Sequence, residues 1–367
     1  MPSPHFLPRT KASLAATLFS LLAALPTLAP AANAANAANA ANAAALPDRG
    51  DAPVYGPQLE GFDYRWPVSR YRFHSQRQDI EMAYLDVAPA AGGVPHGTVV
   101  LLHGKNFCAG TWEQTIDVLH HAGYRVIAPD QIGFCKSSKP EQYQFSFQQL
   151  AANTHALLAS LGIDQAILVG HSTGGMLAIR YALTYPQQTR QLVLVDPIGL
   201  EDWRAKGVPP VSVDQWYARE LGTTAERIRN YERATYFSGQ WSADYEPWVQ
   251  MLAGMYRGPG KERVAWNSAL LYDMILTQPV VYELKNLKTP TVLMIGDQDS
   301  TAIGKEFAPP ELRAALGNYA VLGREAAAAI PHSTLVVFPG AGHAPQMQMP
   351  ELFHAQLLKL LAPQGGR

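Results

Sequence analysis

The sequence predicts an α/β fold, a mostly parallel sheet with helices on both faces. Three observations carry this. From Tyr71 onward, short strand-like runs alternate with longer stretches of helical spacing. The runs at 98–103 and 165–169 are continuously apolar and do not alternate, as strands buried on both faces would be. The rhythm stops at Pro197, gives way to an aromatic-crowded stretch without clear strands, and resumes at Thr291.

The elements follow in order. Residues 71–74 and 80–85 alternate and read as half-buried antiparallel strands. The run 98–103 is a buried strand ending in His103-Gly104, and 112–122 suits a helix, with Trp112, Ile116 and Leu119 on one face. A strand over 124–129 precedes a helix over 146–161, which Gly162 ends as a C′ residue. Residues 165–169 form a strand, 174–185 a helix closed by Pro186, and 191–196 another strand. The stretch 197–284 reads as a helical insertion. Beyond it come a strand over 291–295, a helical stretch over 311–329, a strand over 335–338 and a helix over 350–361.

Composition narrows the function. The chain has 367 residues, 47% of them apolar and 16% charged, with 29 Lys and Arg against 30 Asp and Glu. This near-neutral balance argues against a nucleic-acid binder and against disorder. Two cysteines cannot build a disulfide-dense scaffold or a four-cysteine zinc site. No metal-ligand cluster, phosphate-binding glycine loop or flavin motif stands out, so no cofactor is expected.

Residues 1–34 read as a secretory signal peptide. Arg9 and Lys11 precede an apolar run over 14–28, and small-residue Ala-x-Ala sites follow. The run is too short to span a membrane and Pro26 interrupts it, so no stable anchor is expected after cleavage. Residues 35–56 read as a disordered Ala/Asn-rich linker. The expected location is periplasmic or secreted. An oxidising compartment permits a Cys108–Cys135 disulfide, since both residues follow strands that would leave the same sheet edge; two unpaired thiols are the alternative.

Ligands of such sheets bind beyond the carboxyl ends of the strands. There the chain places Gly170-His171-Ser172-Thr173-Gly174-Gly175, a G-x-S-x-G after an apolar strand. A sharp strand-to-helix turn exposes the serine oxygen, and the amide of Thr173 at a helix N-terminus faces a developing oxyanion. Ser172 needs a base and an orienting acid. His343, after the last strand, is the best base, and Asp299, after the strand before it, the best acid. Asp297 and Asp196 are rival acids. His171 reads as structural. The second oxyanion donor is assigned to the amide of Lys105, with Asn106 as the alternative. The Lys105 side chain reads as solvated in preference to a contact for an anionic substrate group.

Together Leu101-Leu102-His103-Gly104, the segment 129–134 with Ser137-Ser138, Gly170–Gly175, Gly296 with Asp299, and Gly342-His343 resemble the α/β-hydrolase fold superfamily over about 71–361. The resemblance implies eight strands and a helical lid after the sixth, at 197–284, inserted into a core of 57–196 and 285–367. It also implies Ser172 as nucleophile, His343 as base, Asp299 as acid, and the amides of Lys105 and Thr173 as oxyanion hole. Segment 129–138 is similar to the branch holding epoxide hydrolases, haloalkane dehalogenases, C–C bond hydrolases and proline iminopeptidases. The first two use an aspartate nucleophile, where this chain has Ser172, and Asn106 stands where a proline is usual. Epoxide and halide chemistry is therefore disfavoured. The expectation is an exported serine esterase-like hydrolase for a small, mainly apolar acyl substrate. Alternatives are a C–C bond hydrolase or iminopeptidase-like enzyme with the same triad, or a non-catalytic binding protein on this scaffold.

Overall fold

The computed structural model describes residues 52–90 and 95–361. The signal peptide expected at 1–34 and most of the linker expected at 35–56 lie outside the described residues. The end of that linker reading is corrected. Residues 52–56 join the fold, with Tyr55 N donating to Gly254 O at 3.0 Å and Arg257 Nε to Pro53 O at 2.9 Å. Aromatic anchoring of Tyr55 against Phe62 supplies the apolar contact that the Ala/Asn repeat lacks.

Strands β1 (Val68–Ser75) and β2 (Gln78–Val87) form a hairpin whose two loop residues, Gln76 and Arg77, both have positive φ. That backbone matches the twist of the flanking strands. There follow β3 (Thr98–Leu102), α1 (Glu113–His121), β4 (Arg125–Pro129), α2 (Phe147–Ser160), β5 (Ala166–His171), α3 (Thr173–Thr184) and β6 (Thr189–Val195). Ser146 caps α2, its Oγ accepting from Gln149 N at 3.0 Å, and Gly162 beyond it has φ +66°. The stretch after β6 carries α4 (Val213–Leu221), α5 (Ala225–Thr235), α6 (Glu246–Arg257) and α7 (Lys261–Thr277). The chain then completes β7 (Thr291–Gly296), α8 (Pro310–Arg313), α9 (Tyr319–Ala329), β8 (Ser333–Phe338), α10 (Pro345–Gln348) and α11 (Pro350–Leu361). The single helical stretch expected over 311–329 is thus two helices. Gly317 breaks it at φ +74°, where a side chain would strike the Ser300 carbonyl.

The sheet has eight strands in the order β1-β2-β4-β3-β5-β6-β7-β8, with β2 antiparallel to both neighbours and every other pairing parallel. Alternate residues of the central strands feed two cores. Val99, Leu101 and Val193 pack toward α1 and α11, while Val100, Leu102 and Leu192 pack toward α2, α3 and α9. Both faces are covered, which is why these strands read as unbroken apolar runs. Among the described residues no helix is long and apolar enough to cross a membrane.

Candidate active site

Register brings the ends of β5, β7 and β8 to one rim: His171 pairs with Val195 and Gly296 with Phe338. Ser172 leaves β5 at φ 57° and ψ −121°, a conformation unusual for a side-chain-bearing residue. Its neighbours hold the turn. Ser172 N donates to Val195 O at 3.0 Å, and Ser172 O accepts from Gly175 N at 2.9 Å. A Cβ on Gly174 would strike the Leu102 carbonyl, so only glycine lets α3 start this close to β3.

Ser172 meets two groups far away in the chain. His343 Nδ1 donates to Asp299 Oδ2 at 2.6 Å, and Nε2 faces Ser172 Oγ at 2.8 Å as its acceptor. His343 and Asp299 are buried, and Ser172 is 3% exposed. The other oxygen of Asp299 accepts from Thr301 N at 2.8 Å, which fixes the carboxylate plane. The rivals stand elsewhere. Asp297 accepts from Gly340 N at 2.8 Å on the surface and shapes a turn. Asp196 is buried and accepts from Gly296 N at 2.9 Å. Burial, with the charge of Asp299 beside it, pushes the Asp196 carboxyl well above the usual range.

The loop after β3 lies against Ser172: a Cβ on Gly104 would come within 3.0 Å of Ser172 Cβ. His103 Nδ1 donates to Gly104 O at 2.8 Å, its Nε2 accepts from Gln131 N at 3.1 Å, and Phe107 N also donates to Gly104 O, at 3.1 Å. A trans peptide sets its C=O and N–H in opposite directions, so these two donors fix the direction of the Lys105 amide. Among the described residues neither Lys105 N nor Thr173 N is taken by a protein acceptor. Burial holds the His103 ring neutral. The sequence marks His103 only by the His-Gly at its strand end.

His171 is also more than a spacer. Its Nε2 donates to the carbonyl of His343 at 2.7 Å, its ring stacks on Phe107, and burial lowers its pKa well below the ordinary histidine value. From the insertion, Thr235 O accepts from His343 N at 3.1 Å and Tyr236 O from Ala344 N at 3.3 Å. The main chain of His343 is thus held from both sides.

Cys108 and Cys135 are disulfide-bonded, with Cα atoms 5.9 Å apart, tying the loop after β3 to the loop after β4. Asp130 lies beside them, but the sulfurs are committed to each other and offer no thiolate for a metal.

A cavity of about 590 Å³ opens between the rim and the insertion. It reaches Lys105, Asn106, Phe107, Tyr231, Thr235 and Ser300, but neither Ser172 nor His343 is on its wall. Between them Asn106 Nδ2 donates to Tyr236 Oη at 3.1 Å. The wall is mainly apolar, with Phe134, Leu252 and Met255, and charged side chains are set into it. The preferred solvated reading of Lys105 is corrected. Its side chain is 10% exposed, Nζ donates to Ser268 Oγ at 2.7 Å, and the ammonium lies 3.7 Å from the centre of the Tyr272 ring.

Residues 97–350 match the family described as alpha/beta hydrolase fold. The chain is 27% identical to a 2-hydroxy-6-oxo-6-phenylhexa-2,4-dienoate hydrolase of Burkholderia cepacia over 275 residues, covering 72% of this chain and 87% of that one. It is 65% identical to a crystal structure described as a probable hydrolytic enzyme from Pseudomonas aeruginosa PAO1, with a TM-score of 0.83 over 85% of this chain and 99% of that one. A bromoperoxidase from Bacillus anthracis, 21% identical with a TM-score of 0.62 over 80% of this chain and 100% of its own, shares the fold. With its eight strands and its match across most of the described residues, the chain belongs to the α/β-hydrolase family and is a hydrolase.

Proposed function

We propose that the protein is an exported serine hydrolase that cleaves a carboxylic ester or related acyl compound through an acyl-enzyme. The observation that carries this is the hydrogen-bond chain Ser172–His343–Asp299 on a strained turn. A serine hydroxyl is a weak nucleophile until a base takes its proton, and His343 Nε2 is within reach to do so. As Ser172 Oγ bonds to the acyl carbon, the carbonyl electrons move onto oxygen, which lodges between the amides of Lys105 and Thr173. Asp299 holds the ring and stabilises the imidazolium. Collapse expels the alcohol with the proton from His343. Water, deprotonated by His343, then attacks the acyl-enzyme and frees Ser172.

Export is supported by the charged, apolar and small-residue parts of 1–34, and by the Cys108–Cys135 bridge, which suits an oxidising compartment. The test of the hydrolase reading is a fluorophosphonate probe with an ester assay. One label per chain, at Ser172, is expected, with ester turnover lost by several orders of magnitude in Ser172→Ala. An unlabelled folded protein, or a Ser172→Ala variant as active as its parent, overturns it. A second reading, C–C bond hydrolysis by the same triad, is favoured by the dienoate hydrolase relative. Turnover of vinylogous diketones above p-nitrophenyl esters and proline amides would select it.

A further inference from the structure

We propose that the cavity beside the triad contains a carboxylate subsite, and that the acyl compound cleaved carries a second, anionic group recognised by the Lys105 ammonium. This rests on the serine-hydrolase reading and names its substrate class.

The cavity wall carries six cationic side chains, Lys105, Lys139, Arg219, Arg227, Lys305 and Arg313, against two carboxylates, Glu220 and Glu306. Four of the cations are satisfied by main-chain carbonyls, which leave their charge in place. Arg227 Nη1 donates to Gly222 O, Lys305 Nζ to Ser300 O and Leu316 O, Arg313 Nε to Ala308 O, and Lys139 Nζ to Cys135 O. Even with Lys139 neutral, cations outnumber carboxylates by five to two.

The inner wall is a built network. Glu220 is buried in α4 and accepts from Tyr256 Oη and Ser268 Oγ, each at 2.5 Å, and from Arg219 Nη1 at 2.8 Å. Lys105 Nζ is 3.8 Å from this carboxylate, outside hydrogen-bond distance, and reaches it only through Ser268. Glu220 therefore has one cation in direct contact and a second held nearby. On the inner wall Lys105 and Arg219 stand against Glu220 and Glu306, so the excess of positive charge belongs to the cavity wall as a whole. Glu306 meets Arg219 from the far side, at the exposed rim, at 2.8 Å. A poorly hydrated ammonium with a donor to spare is a site for an anion. Lys105 Nζ spends one donor on Ser268, and with the excess of cations around the wall its remaining donors suit a carboxylate.

Placement gives the subsite its meaning. Lys105 offers its amide beside Ser172 and its ammonium to the cavity, so one residue touches both ends of a short acyl chain. Leu252, Met255 and Val264 supply apolar wall for the methylenes between or beyond them.

The test compares 4-nitrophenyl hemiadipate and hemisuberate with the neutral hexanoate and octanoate esters. The wild-type enzyme is expected to show kcat/KM at least about tenfold higher on the anionic ester of each pair, with the advantage shrinking as ionic strength rises. Lys105→Met is expected to collapse the anionic-to-neutral ratio by about tenfold or more, and Lys105→Arg to keep a ratio above one. Because Lys105→Met leaves Glu220 without its second cation and can misfold, the wild-type ratio and its salt dependence stand as an independent readout. Equal or better turnover of the neutral esters overturns the subsite, as does a folded Lys105→Met enzyme with the ratio intact. If neither ester is turned over but monomethyl adipate still raises the melting temperature of the wild-type protein while methyl hexanoate does not, the subsite stands and the ester reading falls.

Discussion

His171 Nε2 donates to the main-chain carbonyl of His343 at 2.7 Å, so the residue before the proposed nucleophile grips the backbone of the proposed base. The imidazole of His343 is aimed by Asp299 at its ring, by His171 at its carbonyl and by Thr235 at its amide. His171→Phe keeps the stacking on Phe107 and removes only the donor. Expected is a fall of about 10- to 100-fold in kcat with little change in KM, because a small misplacement of a base costs rate and not binding. His171→Gln, which retains a donor, should recover part of the loss. Steady-state kinetics on a chromogenic ester check this, and an unchanged kcat in His171→Phe contradicts it.

Asp299 and Asp196 are both buried but only Asp299 bonds to His343, and substitution should separate them. Asp299→Asn removes the charge that orients and stabilises the imidazolium, with an expected loss on the order of 10⁴ in kcat. Asp196 bonds to Gly296 N and not to His343, and burial raises its carboxyl well above the usual range, so less than about a tenfold loss is expected for Asp196→Asn. Parallel kinetics on the two variants, with circular dichroism to confirm folding, decide the assignment.

Glu232 makes stability depend on pH. Its side chain is buried in α5 with both oxygens lacking a hydrogen-bond partner, and burial pushes its pKa up to about 8, with Glu246 adding to the rise. The folded pKa lies above the unfolded one. The folded state therefore keeps a proton that the unfolded chain gives up, and stability falls as pH rises from about 4.5 through 8, then levels off. Lys139 acts in the opposite sense, since burial lowers its pKa to about 7 and its contribution improves above that. The difference between wild type and Glu232→Gln isolates the carboxyl. Urea unfolding at pH 5.5 and pH 8.5 should show the variant losing less stability than the wild type between the two.

Reduction of the Cys108–Cys135 bridge should cost stability and rate together. Opening a loop of 27 residues restores unfolded-chain entropy corresponding to about 3 to 4 kcal/mol. The same bridge anchors the loop that carries the Lys105 amide, so kcat should fall before the protein unfolds. Thermal melts and ester kinetics with and without dithiothreitol, and on Cys108→Ser/Cys135→Ser, check both parts.

The three residues proposed as the triad were legible because each follows a strand within a few residues, even β8 at the half-buried sheet edge, and strand ends converge wherever such a sheet forms. Ser172, Asp299 and His343 needed only local patterns and topology. The surroundings of Lys105 were not legible, because Glu220, Ser268 and Tyr272 come from helices more than a hundred residues away whose packing no local pattern reveals. His103 and His171 escaped for a related reason: their roles lie in hydrogen bonds to main-chain carbonyls, which leave no side-chain signature. The break at Gly317 was hidden because a single glycine in a helical pattern reads as tolerated until its positive φ is seen.

Thr235 and Tyr236 end a helix of the insertion and bond to the amides of His343 and Ala344. The outer helices and the base are thereby one mechanical unit. Swinging those helices wholesale off the sheet would pull on the backbone that holds the imidazole against its partners.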